Sequence, residues 1–462
     1  MLFPSYIFLF VFGPIAIIGY WLIRNQKARR TWLTVMSYIF YGYWKWQFCA
    51  LLLVSTIVDF FVGKKLASVE EPGRRKFWLI VSLAANLGML GFFKYYMLLA
   101  ASANEIAGWL GAGPWLPGWE IVLPIGISFF TFQSMSYTID IYRREIKPTG
   151  DIIEFAAYVS LFPQLIAGPI VRYSEVYKTL RNLPAKLSLS NLNLGLFYFT
   201  AGLVKKVLIA DRIAYFSDPM FQDYTNLVPI EAWLAILGFS LQLYFDFAGY
   251  SLMAIGLGYL LGLEFPQNFN SPYKAVSISD FWRRWHMTLS RWLRDYLYIP
   301  LGGRNNRFIA LAVTMLLGGL WHGAAWTYMI WGAYHAVLLE LHHHLKRFKW
   351  IPKNIAWARI GTFLLVTIGW VFFKPESLEA SLTILKKMFD FANFTTLVRI
   401  SPLYLLILLI ALLWAMLGPN MVDLIRNKEA APRRAWAIAL GFLAALCVLF
   451  FSEASPFLYF QF

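Results

Sequence analysis

Apolar runs of roughly twenty residues recur from Tyr6 to Phe451, and most of them end in a cluster of Lys and Arg. A chain patterned in this way has too much apolar surface to hide in a single water-soluble core. Only 14% of its residues are charged, while 59% are hydrophobic and 18% aromatic. Soluble domains carry about 25% charged residues. The pattern predicts an all-α polytopic membrane protein with about eleven to twelve membrane-embedded helices. The formal net charge is +16, yet nucleic acid is a poor explanation for it. The basic residues sit between apolar runs, where they suit anionic headgroups and cytoplasmic loops. The same clusters could hold an anionic cofactor.

The first apolar run, Tyr6 to Ile23, has no basic region before it and no small-residue cleavage site after it. It reads as a retained first span, not as a removed signal peptide. The clusters Arg24–Arg30 and Lys64–Lys76 are expected on the cytoplasmic side, which places both termini outside, on the periplasmic face of an inner membrane. Gly108–Gly118 reads as an exterior loop. Phe162-Pro163 and Gly168-Pro169 interrupt the run from Ile152, so a broken or re-entrant helix is expected there. Asn191–Ala210 is a span carrying Lys205 and Lys206, which either snorkel to an interface or face a wet cavity. Ile230–Leu263 is too long for one crossing. On it Gln242, Asp246 and Tyr250 share one helical face, either lining a polar cavity or forming a structural ion pair. Ala356–Phe373, Pro402–Leu417 and Trp436–Phe451 complete the set, with basic clusters at Lys346–Lys353 and Arg426–Arg434. Cys49 and Cys447 both lie in apolar runs, so neither a disulfide framework nor a thiolate metal site is expected. No linker or soluble insert divides the chain, and 1–462 reads as one domain.

The stretch from Asp280 to His335 carries the most chemistry. At 100° per residue, Phe281, Trp282, Trp285, Leu289, Trp292, Leu293 and Tyr296 form one face. Arg283, Arg284, Arg291 and Arg294 form the other, as in a helix lying along the cytoplasmic interface. His286 falls at the edge of the aromatic arc, turned toward the protein. After Pro300 and Gly302-Gly303 the chain is apolar from Phe308 to His322, a rise of about 21 Å. That is too short to cross but deep enough to hold an imidazole inside the membrane, where polar groups are functional candidates. A neutral imidazole can take a proton from a hydroxyl and return it to a leaving group. His322, His286 and His335 can each also be read as a hydrogen-bonding group between helices. His342, His343 and His344 radiate around a helix and cannot converge on one ion, so no metal site is expected. The chain has no GxSxG elbow, Walker A loop or HExxH motif, which removes support for serine hydrolase, nucleotide hydrolase and zinc protease readings.

The segments DFWRRWHMTLSRWLRDYLYIPLGG and MLLGGLWHGAAWTYMIWGAYH resemble the membrane-bound O-acyltransferase family, in its bacterial polysaccharide branch. LPIGISFFTFQSMSYTIDIYR, LFPQLIAGPIVR, FTAGLVKKVLIAD and LQLYFDFAGYSLMAIGLG extend the likeness over a core of about 123–345. The resemblance implies His322 as the catalytic histidine, His286 as its second motif histidine, and a central tunnel joining the two faces. Lining positions for that tunnel are Asp246, Gln242, Tyr250 and His335. It further implies acetyl-CoA as the donor, with no bound cofactor, and Arg283, Arg284, Arg291 and Arg294 as groups that hold its phosphates. The expected outcome is O-acetylation of an extracellular or periplasmic polysaccharide (alginate, cellulose or similar), with a periplasmic acetyltransferase or esterase-like partner. One departure stands out: after Gly249-Tyr250-Ser251 the family pattern has Asp, and here Leu252 occupies the position. Three other readings stay open. They are D-alanyl transfer to teichoic acid from a carrier protein, lipid or sterol acylation, and transport of an acyl or sugar intermediate without chemistry. No inverted repeat supports the last of these.

Overall fold

The computed structural model describes residues 1–348, 354–375, 377–394, 400–426, 434–451 and 457–458, and within these it is helical with no strand. Five helices are long and apolar enough to cross a membrane: Trp46–Ser68, Pro72–Trp109, Leu189–Gln222, Pro229–Leu260 and Ile355–Phe372. Shorter apolar helices span Phe8–Leu22, Arg307–His322, Pro402–Leu417 and Ala437–Leu449. Gln26–Gly42, Ile127–Tyr142 and Trp326–Arg347 are further long helices. The chain is a multi-pass helical membrane protein. Of the basic clusters expected near Lys346–Lys353 and Arg426–Arg434, residues 349–353 and 427–433 lie outside the described residues. Cys49 and Cys447 are free thiols.

The chain forms two compact units, one of residues 1–199 with 253–266 and the other of residues 200–252 with 267–462. In the first, the expected break after Ile152 is present: helix Ile152–Ser160 stops at Leu161, whose φ and ψ are −50° and 110°. A single turn, Phe162–Leu165, follows with Pro163 at its start. Proline is tolerated there because a first-turn N–H has no intrahelical partner to lose. The unit is also stitched by side chains. Asp59 accepts from Ser82 Oγ at 2.5 Å and from Asn86 Nδ2 at 2.8 Å, while Ser55 Oγ reaches Asn86 Oδ1 at 2.9 Å. Lipid tails drive no hydrophobic association between helices, so close packing and such buried polar contacts hold them together.

The second unit holds every candidate site residue. Three expectations change in the structure. Ile230–Leu263 is one continuous helix of 32 residues, Pro229–Leu260, because no proline interrupts its interior. It ends where Gly262 takes φ +73° and Leu263 N–H donates to the Gly258 carbonyl at 2.8 Å, a C-terminal cap that needs glycine's left-handed freedom. Lys206 does not snorkel. Its ammonium bridges Asp211 at 2.7 Å and Asp246 at 2.9 Å, and all three side chains are 1% exposed. A buried charge is tolerated when it is paired and hydrogen-bonded, and Asp246 further accepts from Leu458 N–H at 2.9 Å. Lys205 is also buried, its ammonium 5.8 Å from the centre of the Tyr244 ring.

The third change concerns the basic aromatic stretch. It is not one amphipathic helix but two, Ile278–Trp282 and Met287–Leu293, continued by the wider turn Arg294–Tyr298. His286 is the break, in the left-handed region at φ +39° and ψ 54°. The facial arithmetic survives locally: Phe281, Trp285, Leu289, Trp292 and Leu293 are buried, while Arg283 and Arg294 are exposed. After the turn, Arg307–His322 packs on Trp326–Arg347 as a tight hairpin. A methyl group on Gly319 would collide with the Tyr328 carbonyl, and one on Gly332 with the Met315 carbonyl. Glycine at both positions lets the two backbones touch.

Candidate active site

His322 is the last residue of its helix and is 3% exposed. Aromatic rings enclose it edge-on, with centres at 5.0 Å for Trp321, 5.3 Å for Trp331 and 5.2 Å for Phe373. The His286 ring centre lies 6.4 Å away, so the two motif histidines share one site.

The left-handed turn at His286 is what aims its ring inward. The turn is held by the loop that follows Gln267. Asn268 accepts Met287 N–H on its backbone carbonyl at 2.9 Å, and Thr288 Oγ on its side-chain Oδ1 at 2.9 Å. His286 Nδ1 meets the same Oδ1 at 3.1 Å, and Asn268 Nδ2 donates to Ser251 Oγ at 3.1 Å. Thr288 N–H donates to the same atom, which marks it as the amide oxygen, and an amide oxygen only accepts, so His286 Nδ1 is the protonated nitrogen. The partner on one ring nitrogen sets the tautomer and leaves Nε2 as the basic position. Asn268 therefore orients this histidine, a role that the sequence did not disclose. Its polar setting, QNFNSPYK between two apolar helices, was the available signal.

His322 lines one pocket, and the residue after it, Gly323, lines another. The first, about 220 Å³, runs down the Arg307–His322 helix past Gly318, Met315 and Leu311, with Leu293 opposite and Arg294 and Tyr298 at its rim. From Leu311 to His322 is about 16 Å along the axis. Its walls are apolar and its rim carries Arg294, which is paired with Asp295 at 2.6 and 3.2 Å, a combination suited to a linear acyl carrier with a polar head. The second, about 870 Å³, opens beyond the other end of that helix. It is lined by Gly323, Thr327, Tyr328, Asp218, Gln222 and Lys374, among others, and is far more polar. A side chain on Gly323 would strike the Tyr328 ring, so the linker can run beside that wall only as glycine.

The remaining candidates are placed as follows. Of the four arginines, Arg294 reaches the first pocket. Arg284 is taken by Asp280 at 3.0 Å and by the Asn270 carbonyl at 3.3 Å, Arg283 is exposed, and Arg291 is half-buried. Asp246 is engaged with Lys206, Gln242 accepts from Ser217 Oγ at 3.4 Å, and the Tyr250 ring packs on Phe457 at 4.6 Å. All three stand outside the linings of the two pockets. His335 is fully buried among Trp282, Trp331 and Tyr334, at ring distances of 5.2, 4.9 and 5.5 Å. Trp331 thus lies between His335 and His322. His342–His344 lie half-buried or exposed at the rim, with His344 Nε2 3.1 Å from Glu340. Among the described residues no cluster of His, Cys, Asp and Glu could hold a metal ion.

A multi-pass helical protein that buries two imidazoles side by side, one of them at the wall of an apolar pocket, has the makings of a membrane-embedded group-transfer enzyme. Residues 129–374 match the model of MBOAT, the membrane-bound O-acyltransferase family. The chain belongs to this family and is an acyltransferase. It is 39% identical, over the full length of both chains, to a probable alginate O-acetylase AlgI of Pseudomonas putida. It is also 39% identical to the peptidoglycan O-acetyltransferase of Helicobacter pylori, over 84% of this chain and 80% of that protein. The teichoic acid D-alanyltransferase of Bacillus subtilis is 31% identical over 57% of this chain and 71% of its own length.

Proposed function

We propose that the protein is an O-acetyltransferase of the bacterial inner membrane that moves acetyl groups from acetyl-CoA toward the hydroxyls of a polysaccharide outside the cytoplasm. The observation that carries this reading is the position of His322, buried at the wall of an apolar pocket with Arg294 at its rim, while the next residue, Gly323, lines a separate polar pocket. The arginine side faces the cytoplasm and both termini face outward, following the positive-inside rule. The identity to O-acetyl-transferring relatives extends over most of the chain, whereas identity to the D-alanyltransferase covers little more than half of it. This favours acetyl over D-alanyl as the group transferred.

In this reading the thioester arm lies in the apolar pocket, with its phosphates near Arg294, and the acetyl carbonyl comes to rest beside His322. An imidazole nitrogen of His322 takes the proton of the acceptor hydroxyl as its oxygen attacks the acetyl carbon. A C–O bond forms, the C–S bond breaks, and the proton passes to the leaving sulfur as the free thiol. His286, its Nδ1 held by Asn268, turns its basic Nε2 toward the site, where it can accept a hydrogen bond from the acceptor hydroxyl and orient it. A secreted esterase-like partner would carry the acetyl group onward where the glycan does not reach the membrane.

The test is transfer of radiolabelled acetyl from acetyl-CoA by the purified full-length protein in lipid vesicles. His322→Ala should lower the rate at least a hundredfold, with the elution volume and helical circular dichroism of the wild type. Undiminished transfer by that variant would remove His322 from the mechanism. Tight binding of an acylated carrier protein, with none of acetyl-CoA, would transfer the assignment to the D-alanyl reading.

A further inference from the structure

In the transfer described above, His322 becomes an imidazolium when it takes the hydroxyl proton, and stays charged until the proton leaves on sulfur. That charge arises in a ring only 3% exposed, at the wall of an apolar pocket. A cation in such a place is costly unless its surroundings offset the charge. A carboxylate does this in serine hydrolase triads. In this unit Asp218, Asp246, Asp280, Asp295 and Glu340 are each already bound to a lysine or an arginine.

The ring's immediate surroundings are aromatic. The centres of Trp321, Trp331 and Phe373 stand 5.0, 5.3 and 5.2 Å from that of His322, with planes inclined at 82°, 90° and 68°. All three fall within the range of about 6 Å over which a ring quadrupole attracts a cation, and indole is the strongest side chain for this. Of the three, Trp331 lines the apolar pocket together with His322. It is also held in place. Trp370 stacks along it at 5.5 Å and 19°, while Trp282 and His335 crowd it at 5.7 and 4.9 Å. A π-system fixed in this way meets the new charge without reorganising. It gains little from the neutral imidazole, so its effect falls on the charged state and raises the rate more than it tightens binding.

We propose that Trp331 is a charge-stabilising residue of the transfer reaction, whose π-system offsets the positive charge on His322, with Trp321 and Phe373 completing the enclosure. The inference rests on the acetyltransferase reading above and adds a residue to its mechanism. The step needs no further reactant. The hydroxyl proton moves to His322 as the C–O bond forms, and from His322 to sulfur as the C–S bond breaks. A plain packing wall would hold the imidazole in the same position, and the experiment separates the two.

Full-length protein in vesicles is supplied with acetyl-CoA and a short soluble alginate oligosaccharide, and release of the free thiol is followed together with labelling of the sugar. Tryptophan analogues carrying one to four ring fluorines are inserted at position 331 alone. Fluorine withdraws electron density from the π face and leaves the size of the ring nearly unchanged, so folding is preserved. Each added fluorine should lower kcat, to a loss of about tenfold at four, with donor KM and melting temperature unaltered. The same series at position 370, where the ring packs on Trp331 and Phe373, should leave kcat unchanged. A kcat indifferent to fluorination at position 331, or one that falls equally at position 370, would reduce the rings to packing and overturn the inference. A wild type that releases no thiol from acetyl-CoA would instead remove the acetyltransferase reading on which the inference stands.

Discussion

The ring centres of His286 and His322 lie 6.4 Å apart with their planes inclined at 59°. The separation is too long for a direct hydrogen bond but short enough for both rings to border one small reacting group. His286 reaches this position only because Asn268 holds both its backbone turn and its Nδ1.

Asn268→Ala should therefore impair turnover although Asn268 lies behind the ring. Losing the hydrogen bond that sets the tautomer should lower kcat about tenfold, with little change in donor KM. Asn268→Asp keeps an acceptor for Nδ1–H and should retain more activity than Ala. The pH profile of kcat should shift in the Ala variant, which a merely structural defect would not produce.

His286→Gly should be more thermostable than His286→Ala. Both remove the ring, but the left-handed backbone at φ +39° costs an alanine roughly 1 kcal/mol that glycine avoids. Paired thermal melts in detergent check this. An Ala variant melting at or above Gly would show that the turn relaxes once the ring is gone.

The hairpin between Arg307–His322 and Trp326–Arg347 depends on Gly319 and Gly332, where no Cβ fits. Gly319→Val and Gly332→Val should each separate the two helices and move His322 from Trp331 and Phe373. Loss of acetyl transfer together with a lowered melting temperature is the expected result, with Gly361→Val, whose Cβ meets nothing within 4 Å, as the tolerant control.

The buried lysine bridge should respond asymmetrically. Lys206→Met leaves Asp211 and Asp246 facing one another without a cation, and breaking a buried pair in this way costs about 3–5 kcal/mol. Asp246→Asn keeps the Lys206–Asp211 contact of 2.7 Å and should cost much less. Comparison of unfolding midpoints in one detergent measures the difference, and equal losses would contradict the assignment.

The apolar pocket makes a separate prediction about the donor. A side chain at Gly318 would enter it, since even a Cβ there comes within 3.2 Å of Leu293 Cδ1. Gly318→Leu should block the thioester arm and raise the donor KM at least tenfold by overpacking, while Leu293→Ala should relieve the crowding in the double variant. Donor titrations on the three proteins test it.

Much of this was legible in the sequence because hydropathy is a local property. Span positions, the proline break after Ser160, the buried ring at His322 and the inward turn of His286 follow from counting residues and from the cost of polar groups in lipid. The family motifs added which histidines to expect at the site. Other features depended on partners distant in the chain. Lys206 was expected to snorkel or to face a wet cavity, and its pairing with Asp246, forty residues away, shows only in the packed structure. Helical periodicity ran straight through His286, since the residue that breaks it is held by Asn268 from another element. The lining of the two pockets, including Asp218 and Lys374, comes from helices far apart in sequence. Composition and periodicity thus determined a helical membrane protein with a histidine at the end of an apolar run too short to cross. Only the packed structure decided that two imidazoles meet, which arginine reaches the apolar pocket, and which charges line the polar one, because each of these is set by contact between helices and not by order along one.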